Sequence, residues 1–149
     1  MSESKDRTRT VRILARVILG IGVVFMLAGV FTWAAVSAQL EAEEILVSDD
    51  ATRFAGQPVN GPLTAYEQAN VINEHSLAAT GGKTYAELHS DDPARQTAMT
   101  ASFLRASLYT SVVAFGVAAM AFGIGVVFVL IGFALLQVVR KPEVAAGGA

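Results

Sequence analysis

Two stretches of this chain carry no charged side chain, Val17–Leu40 and Ala106–Val139, 24 and 34 residues long. Nothing else in the sequence restricts the fold as tightly. A helix rises about 1.5 Å per residue, so the first run reaches ~36 Å, enough to cross a hydrocarbon layer of about 30 Å. The second run is too long to lie wholly in lipid. Its opening, ASLYTS, is polar enough for an interface, which places the span proper near Phe115–Leu136. Composition agrees: charged residues make up 16% of the chain, against roughly 25% in soluble domains. The chain has no cysteine, which excludes disulfides, thiolate metal sites and a cysteine nucleophile.

Charge sets an orientation. Lys5, Arg7, Arg9, Arg12 and Arg16 precede the first run, and Arg140 and Lys141 follow the second. Between them, residues 41–105 hold ten acidic residues and four basic ones. Basic flanks stay on the cytoplasmic side of a membrane. The expected layout is therefore a basic cytoplasmic N-terminus (1–16), a first transmembrane helix (17–40), an extracytoplasmic segment (41–105), a second transmembrane helix with an outer extension (106–139) and a cytoplasmic tail (140–149). Trp33 falls where an outer aromatic anchor belongs. A rival reading exists. Basic residues, an apolar run and AAVSA before Gln39 resemble a secretory signal cleaved after Ala38, although the apolar run is longer than the usual 7–15 or so.

The outer segment reads as a small, mainly helical cap. GQPVNGPL is turn chemistry, with two prolines and Asn60-Gly61. In TAYEQANVINEHSLAATGG, Thr64 and Glu67 have the spacing of a capping box, Tyr66, Ala69, Ile72 or Asn73, and Leu77 recur at helical spacing, and Gly81-Gly82 form a left-handed stop. Thr84 and Glu87 repeat the box. Asp91 or Asp92 can cap a further helix with Pro93 in its first turn, and no breaker follows until Pro142. Sixty-five residues without a disulfide make a marginal core, so this cap is expected to lean on the helix ends or on a partner.

The hexapeptide GIGVVF occurs twice, at 20–25 and 123–128. If the two spans run antiparallel, small residues on facing stripes let their backbones approach closely, which is how membrane helices gain packing energy. Gly22 and Gly29 are seven apart, as are Gly125 and Gly132. Seven residues are nearly two turns, so each pair shares a face. These four glycines are the candidate helix-packing seam, in a register that sets Gly22 opposite Gly132 and Gly29 opposite Gly125. The alternative is a seam used for a homodimer or another subunit.

Catalytic signals are sparse. His75 and His89, with nearby carboxylates, could nominally make a two-histidine, one-carboxylate metal site, but they lack ligand spacing and read as solvated side chains. No phosphate loop or nucleophile motif occurs. The spans hold no ionisable residue of the kind that marks an ion pathway. No catalytic residue, metal or cofactor is expected.

The stretches FAGQPVNGPLTAYEQANVINEHSLAATGGKTYAEL and DPARQTAMTASFLRASLYTSVVAFGVA resemble a family of short actinobacterial two-span membrane proteins, whose members often carry the name aromatic ring-opening dioxygenase LigA. The resemblance covers roughly residues 10–140. It implies two spans and a bacterial plasma membrane, and carries no active-site residue onto this chain. The overall expectation is an all-α membrane protein, a two-helix antiparallel hairpin with a helical extracytoplasmic cap. It would be a non-enzymatic accessory or scaffold subunit of a bacterial envelope assembly. Its partners would be the lipid bilayer and other membrane or envelope proteins or a second copy, with no nucleic acid. The alternatives are a metal-dependent ring-opening dioxygenase, as the family name implies, or a small sensor, which tails of 16 and 10 residues disfavour.

Overall fold

The computed structural model describes residues 2–140, with side chains from 6 to 139. The side chains of Lys5 and Arg140, and the tail from Lys141 onward, lie outside those bounds. Three helices make up the described chain: α1 (Ser2–Ala42), α2 (Pro62–Ala79) and α3 (Ala94–Arg140). No strand forms among the described residues; one isolated antiparallel bridge joins Leu46 and Pro58. Two helices are long and apolar enough to cross a membrane, over Asp6–Ala42 and Ala94–Val139.

The chain divides into two compact units, and both long helices contribute to each. Among the described residues one comprises 2–31 with 118–140, the other Thr32–Val117. In the first unit large apolar side chains face outward, among them Leu27 (64% exposed), Phe31 (76%) and Leu130 (62%).

The second unit has the buried core. Val47, Val59 and Phe115 are its largest fully buried side chains, and Leu40, Leu108, Ala65 and Ala69 pack with them. This core therefore draws on the end of α1 and the early part of α3 as well as on the segment between them. Trp33, expected as an interface anchor, sits edge-on to Phe115 with ring centroids 4.7 Å apart.

LEAEEILVSDD can continue the first helix or form a short extended piece, and beyond Ala42 it is extended. α1 ends at Ala42, and Glu44 takes a left-handed backbone (φ 51°). The chain then doubles back. The Val47 N–H donates to Gln57 O (2.9 Å), Gly56 N–H to Val47 O (2.9 Å) and Val59 N–H to Ile45 O (2.8 Å). This ladder, rather than helix, aims Val47 and Val59 into the core. Gly56, at φ 71°, supplies the turn.

α2 begins two residues before the expected cap, because Pro62 suits the first helical position, where no N–H is needed. Thr64 is thereby the third helical residue. Its hydroxyl accepts from the Asn60 and Gly61 N–H groups, each at 3.3 Å. Glu67 does not close the expected box; it accepts from the Thr52 hydroxyl at 2.8 Å. The buried face of α2 runs through Ala65, Gln68 and Ala69. Tyr66 lies beside that stripe and meets Tyr109 edge-on at 5.9 Å. Buried Gln68 is satisfied by the Ser48 N–H, which donates to its amide oxygen at 2.9 Å.

The helix stops at the glycine pair. Gly81 and Gly82 have φ of 64° and 82°, and the Gly82 N–H donates to Leu77 O at 2.7 Å, closing a Schellman motif. At Thr84 the Glu87 carboxylate does accept from the Thr84 N–H and hydroxyl, both at 2.8 Å, but only a turn results. Asp92, not Asp91, caps α3: its carboxylate accepts from the Ala94 N–H at 2.8 Å.

Candidate functional site: the glycine seam

Glycine offers a helix only the absence of a side chain, so its use is judged by what a Cβ would meet. At Gly22 an added Cβ would lie 2.7 Å from Gly125 O and 2.8 Å from Val129 N. At Gly125 it would lie 2.6 Å from Gly22 O and 2.7 Å from Met26 N. Gly29 faces Ala118 O at 2.7 Å and Phe122 N at 2.9 Å, and Gly132 faces Ala15 O at 2.9 Å and Leu19 N at 3.1 Å. These obstacles are backbone atoms, which a rotamer change cannot move. Gly20, Gly116 and Gly123, on the same helices, have nothing within 4 Å of such a Cβ. The four glycines singled out by spacing are thus the ones in the two long helices where the backbones meet.

The register differs from the one read from the sequence. Gly22 pairs with Gly125 rather than Gly132, and Gly29 with Ala118 rather than Gly125. Gly132 pairs with Ala15. Matching glycines only to glycines left two layers incomplete. The structure completes them with alanine, and Ala15 and Ala118 are buried to 0% and 2% exposure. Each helix therefore carries three small residues at seven-residue spacing: Ala15, Gly22 and Gly29 on α1, and Ala118, Gly125 and Gly132 on α3. The alanines were missed, although the same heptad spacing would have found them.

The repeated hexapeptide now has a geometric meaning. Its copies are offset by 103 residues, Gly20 to Gly123. Gly22 and Gly125 are equivalent positions of the repeat, and they face each other. Phe25 and Phe128 are also equivalent, and their rings meet edge-on at 6.1 Å. The contacts beyond the repeat obey the same offset. Ala15 with Gly132 is the counterpart of Ala118 with Gly29, and Leu19 of Phe122. The seam is locally two-fold pseudo-symmetric about the Gly22 and Gly125 pair.

The histidines are not part of one constellation. His75 Nε2 lies 2.6 Å from Asp50 Oδ2, and that hydrogen bond, partly opposed by desolvation, holds the Asp50 carboxyl below its ordinary value. His89 Nδ1 is 4.0 Å from Asp91 Oδ1, with both side chains about 90% exposed. Among the described residues no three histidine or carboxylate side chains gather to hold a metal ion. The Glu87 carboxyl is likewise lowered, by the Thr84 N–H and hydroxyl. Comparison with family models, curated proteins and solved structures gives no match to this chain.

Proposed function

We propose that this chain is a two-span bacterial plasma-membrane protein without catalytic activity, an accessory or scaffold subunit of an envelope assembly. α1 and α3 form an antiparallel transmembrane hairpin closed within one chain by the six small residues of the seam. The termini are cytoplasmic and residues 41–105 form the extracytoplasmic cap. The observation that carries the reading is the combination of a backbone-tight seam with outward-facing large apolar side chains such as Phe31 and Leu130. Helices that bury their smallest residues against each other and turn their largest outward suit lipid as solvent. The reversed order of the pairs, Ala15–Gly132 to Gly29–Ala118, supports the antiparallel arrangement. The flanking charges support the orientation, and the family resemblance supports the bacterial membrane.

An uncleaved N-terminal helix belongs to this proposal. The Ser37 hydroxyl donates to Asn60 O at 2.7 Å, and Val36 packs against the core. Cleavage after Ala38 would remove both anchors from the chain.

Cysteine accessibility tests the topology. Ser48→Cys and Gly82→Cys should react with an impermeant thiol reagent in intact cells, and Ser4→Cys and Gly147→Cys should not; labelled termini would reverse the orientation. Purification from native membranes with mass spectrometry of co-purifying proteins tests the scaffold role. Recovery of the chain alone, at one copy per particle, would sink it.

A further inference from the structure

Two open clefts lie along α2 and α3 in the Thr32–Val117 unit, each of about 500 Å³, inside the range of roughly 300–1,000 Å³ typical of ligand clefts. One is walled by Ser76 and Ala79 of α2 and by Gln96, Thr100 and Ala101 of α3. The other is walled by Gln39 and Leu40 of α1, Gln68 of α2, and Ser107, Leu108 and Ser111 of α3. Ile72 and Leu104 line both, so the two are adjoining compartments of one groove. Along α3 the wall runs from Gln96 to Ser111, about 22 Å at helical rise. A single leaflet's hydrocarbon is about half of 30 Å thick, so the groove has room for one chain and a small head.

Three observations select the occupant. First, Gln39, Leu40, Ser107, Leu108 and Ser111 belong to the same uncharged runs that form the two spans. On the membrane reading, which this inference rests on, the groove opens where the bilayer ends. Second, its walls alternate aliphatic groups with hydroxyls and amides. Third, no lysine or arginine lines either compartment, and the ionisable side chains are Glu43 and His75, the latter already bonded to Asp50. An anionic head would meet Glu43 and find no cation. Burying an unpaired charge is costly, whereas a hydroxyl or ester can bond to serine, threonine and glutamine.

We propose that this groove holds a single-chain amphiphile with an uncharged, hydroxyl- or ester-bearing head, taken from the adjoining leaflet. The cap thereby has a ligand site of its own, beyond a scaffolding role.

The test uses the full chain in phosphatidylcholine vesicles and a monoacylglycerol carrying a diazirine on its acyl chain. Lysophosphatidic acid with the same chain is the charged comparison. Monoacylglycerol should crosslink to peptides containing Ile72 or Leu104, and lysophosphatidic acid should label them about tenfold less. Leu104→Trp, at a half-exposed position, fills the shared wall and should cut labelling about tenfold, roughly the loss of two buried methylenes. Ser107→Arg adds the missing cation and should shift preference toward lysophosphatidic acid, a gain that misfolding cannot mimic. Equal labelling by both heads, or label spread along the spans and indifferent to Leu104→Trp, overturns the proposal. So does a co-purifying polypeptide that occupies the groove and blocks labelling. Alkaline carbonate extraction separates the two levels. Release of the chain from membranes sinks the membrane reading, while retention without groove labelling sinks the amphiphile site alone.

Discussion

A single methyl group separates each glycine of the seam from alanine. Alanine is favoured over glycine in a helix by about 1 kcal/mol, so at an open position the substitution should be neutral or stabilising. Gly20 and Gly123 are open, and Gly20→Ala or Gly123→Ala should leave the unfolding midpoint in detergent micelles unchanged or raise it. At Gly22 and Gly125 the methyl would sit 2.6–2.7 Å from a facing carbonyl oxygen. The helices must separate, and Gly22→Ala or Gly125→Ala should cost about 1–3 kcal/mol, the usual range for overpacking. Equal effects at all four positions would contradict the seam. At Asp50 the sign is fixed by the His75 hydrogen bond, which lowers the folded-state value below the ordinary 3.8. Stability from this contact is therefore complete above the unfolded-state value and fades as pH falls through the lower folded one. The difference in thermal midpoint between wild type and Asp50→Asn should be larger at about pH 5 than below about pH 4. A difference that widens in acid would show that another contact dominates. Both side chains are largely exposed, so the effect should be small.

At the scale of elements, periodicity and punctuation gave the three helices, and chemistry at particular residues moved their ends. Gly81-Gly82 and Asp92 act as their residue types suggest. Pro62 outweighs the Thr64 and Glu67 spacing, because a proline at the first helical position needs no capped N–H. The doubling back between Ile45 and Val59 carried no hairpin signal of alternating residues, and its ladder is stabilised by burial of Val47 and Val59. The seam's glycines were legible from their spacing, but their register was not, since alanine serves the same purpose as glycine at the outer layers. Crosslinking checks that register. Gly29→Cys with Ala118→Cys should form a disulfide within one chain, within the ~7 Å Cα limit. Gly29→Cys with Gly132→Cys, displaced by about 21 Å along the helix, should not. Bonds formed only between chains would assign the seam to an oligomer.

For the whole molecule, the two uncharged runs made the membrane expectation legible from composition alone, whereas the groove was not. Its walls come from α1, α2 and α3 at positions far apart in sequence, and no local motif marks Gln39, Ile72 and Leu104 as neighbours. On the proposed membrane reading, the pseudo-symmetry of the seam has a consequence for how the chain enters a bilayer. A palindrome reads the same from either end. Turned upside down, this helix pair would present the same small residues in the same layers, because every contact maps onto its twin 103 residues away. The seam is therefore silent about which way up the molecule is, and on the proposed topology that instruction lies in the flanking charges, the basic N-terminal residues foremost. Replacing Arg7, Arg9, Arg12 and Arg16 with glutamine should yield a mixed population, with Ser4→Cys now labelled from outside in some copies. The Gly29→Cys and Ala118→Cys crosslink should form equally well in both, giving inverted proteins that are nonetheless correctly zipped.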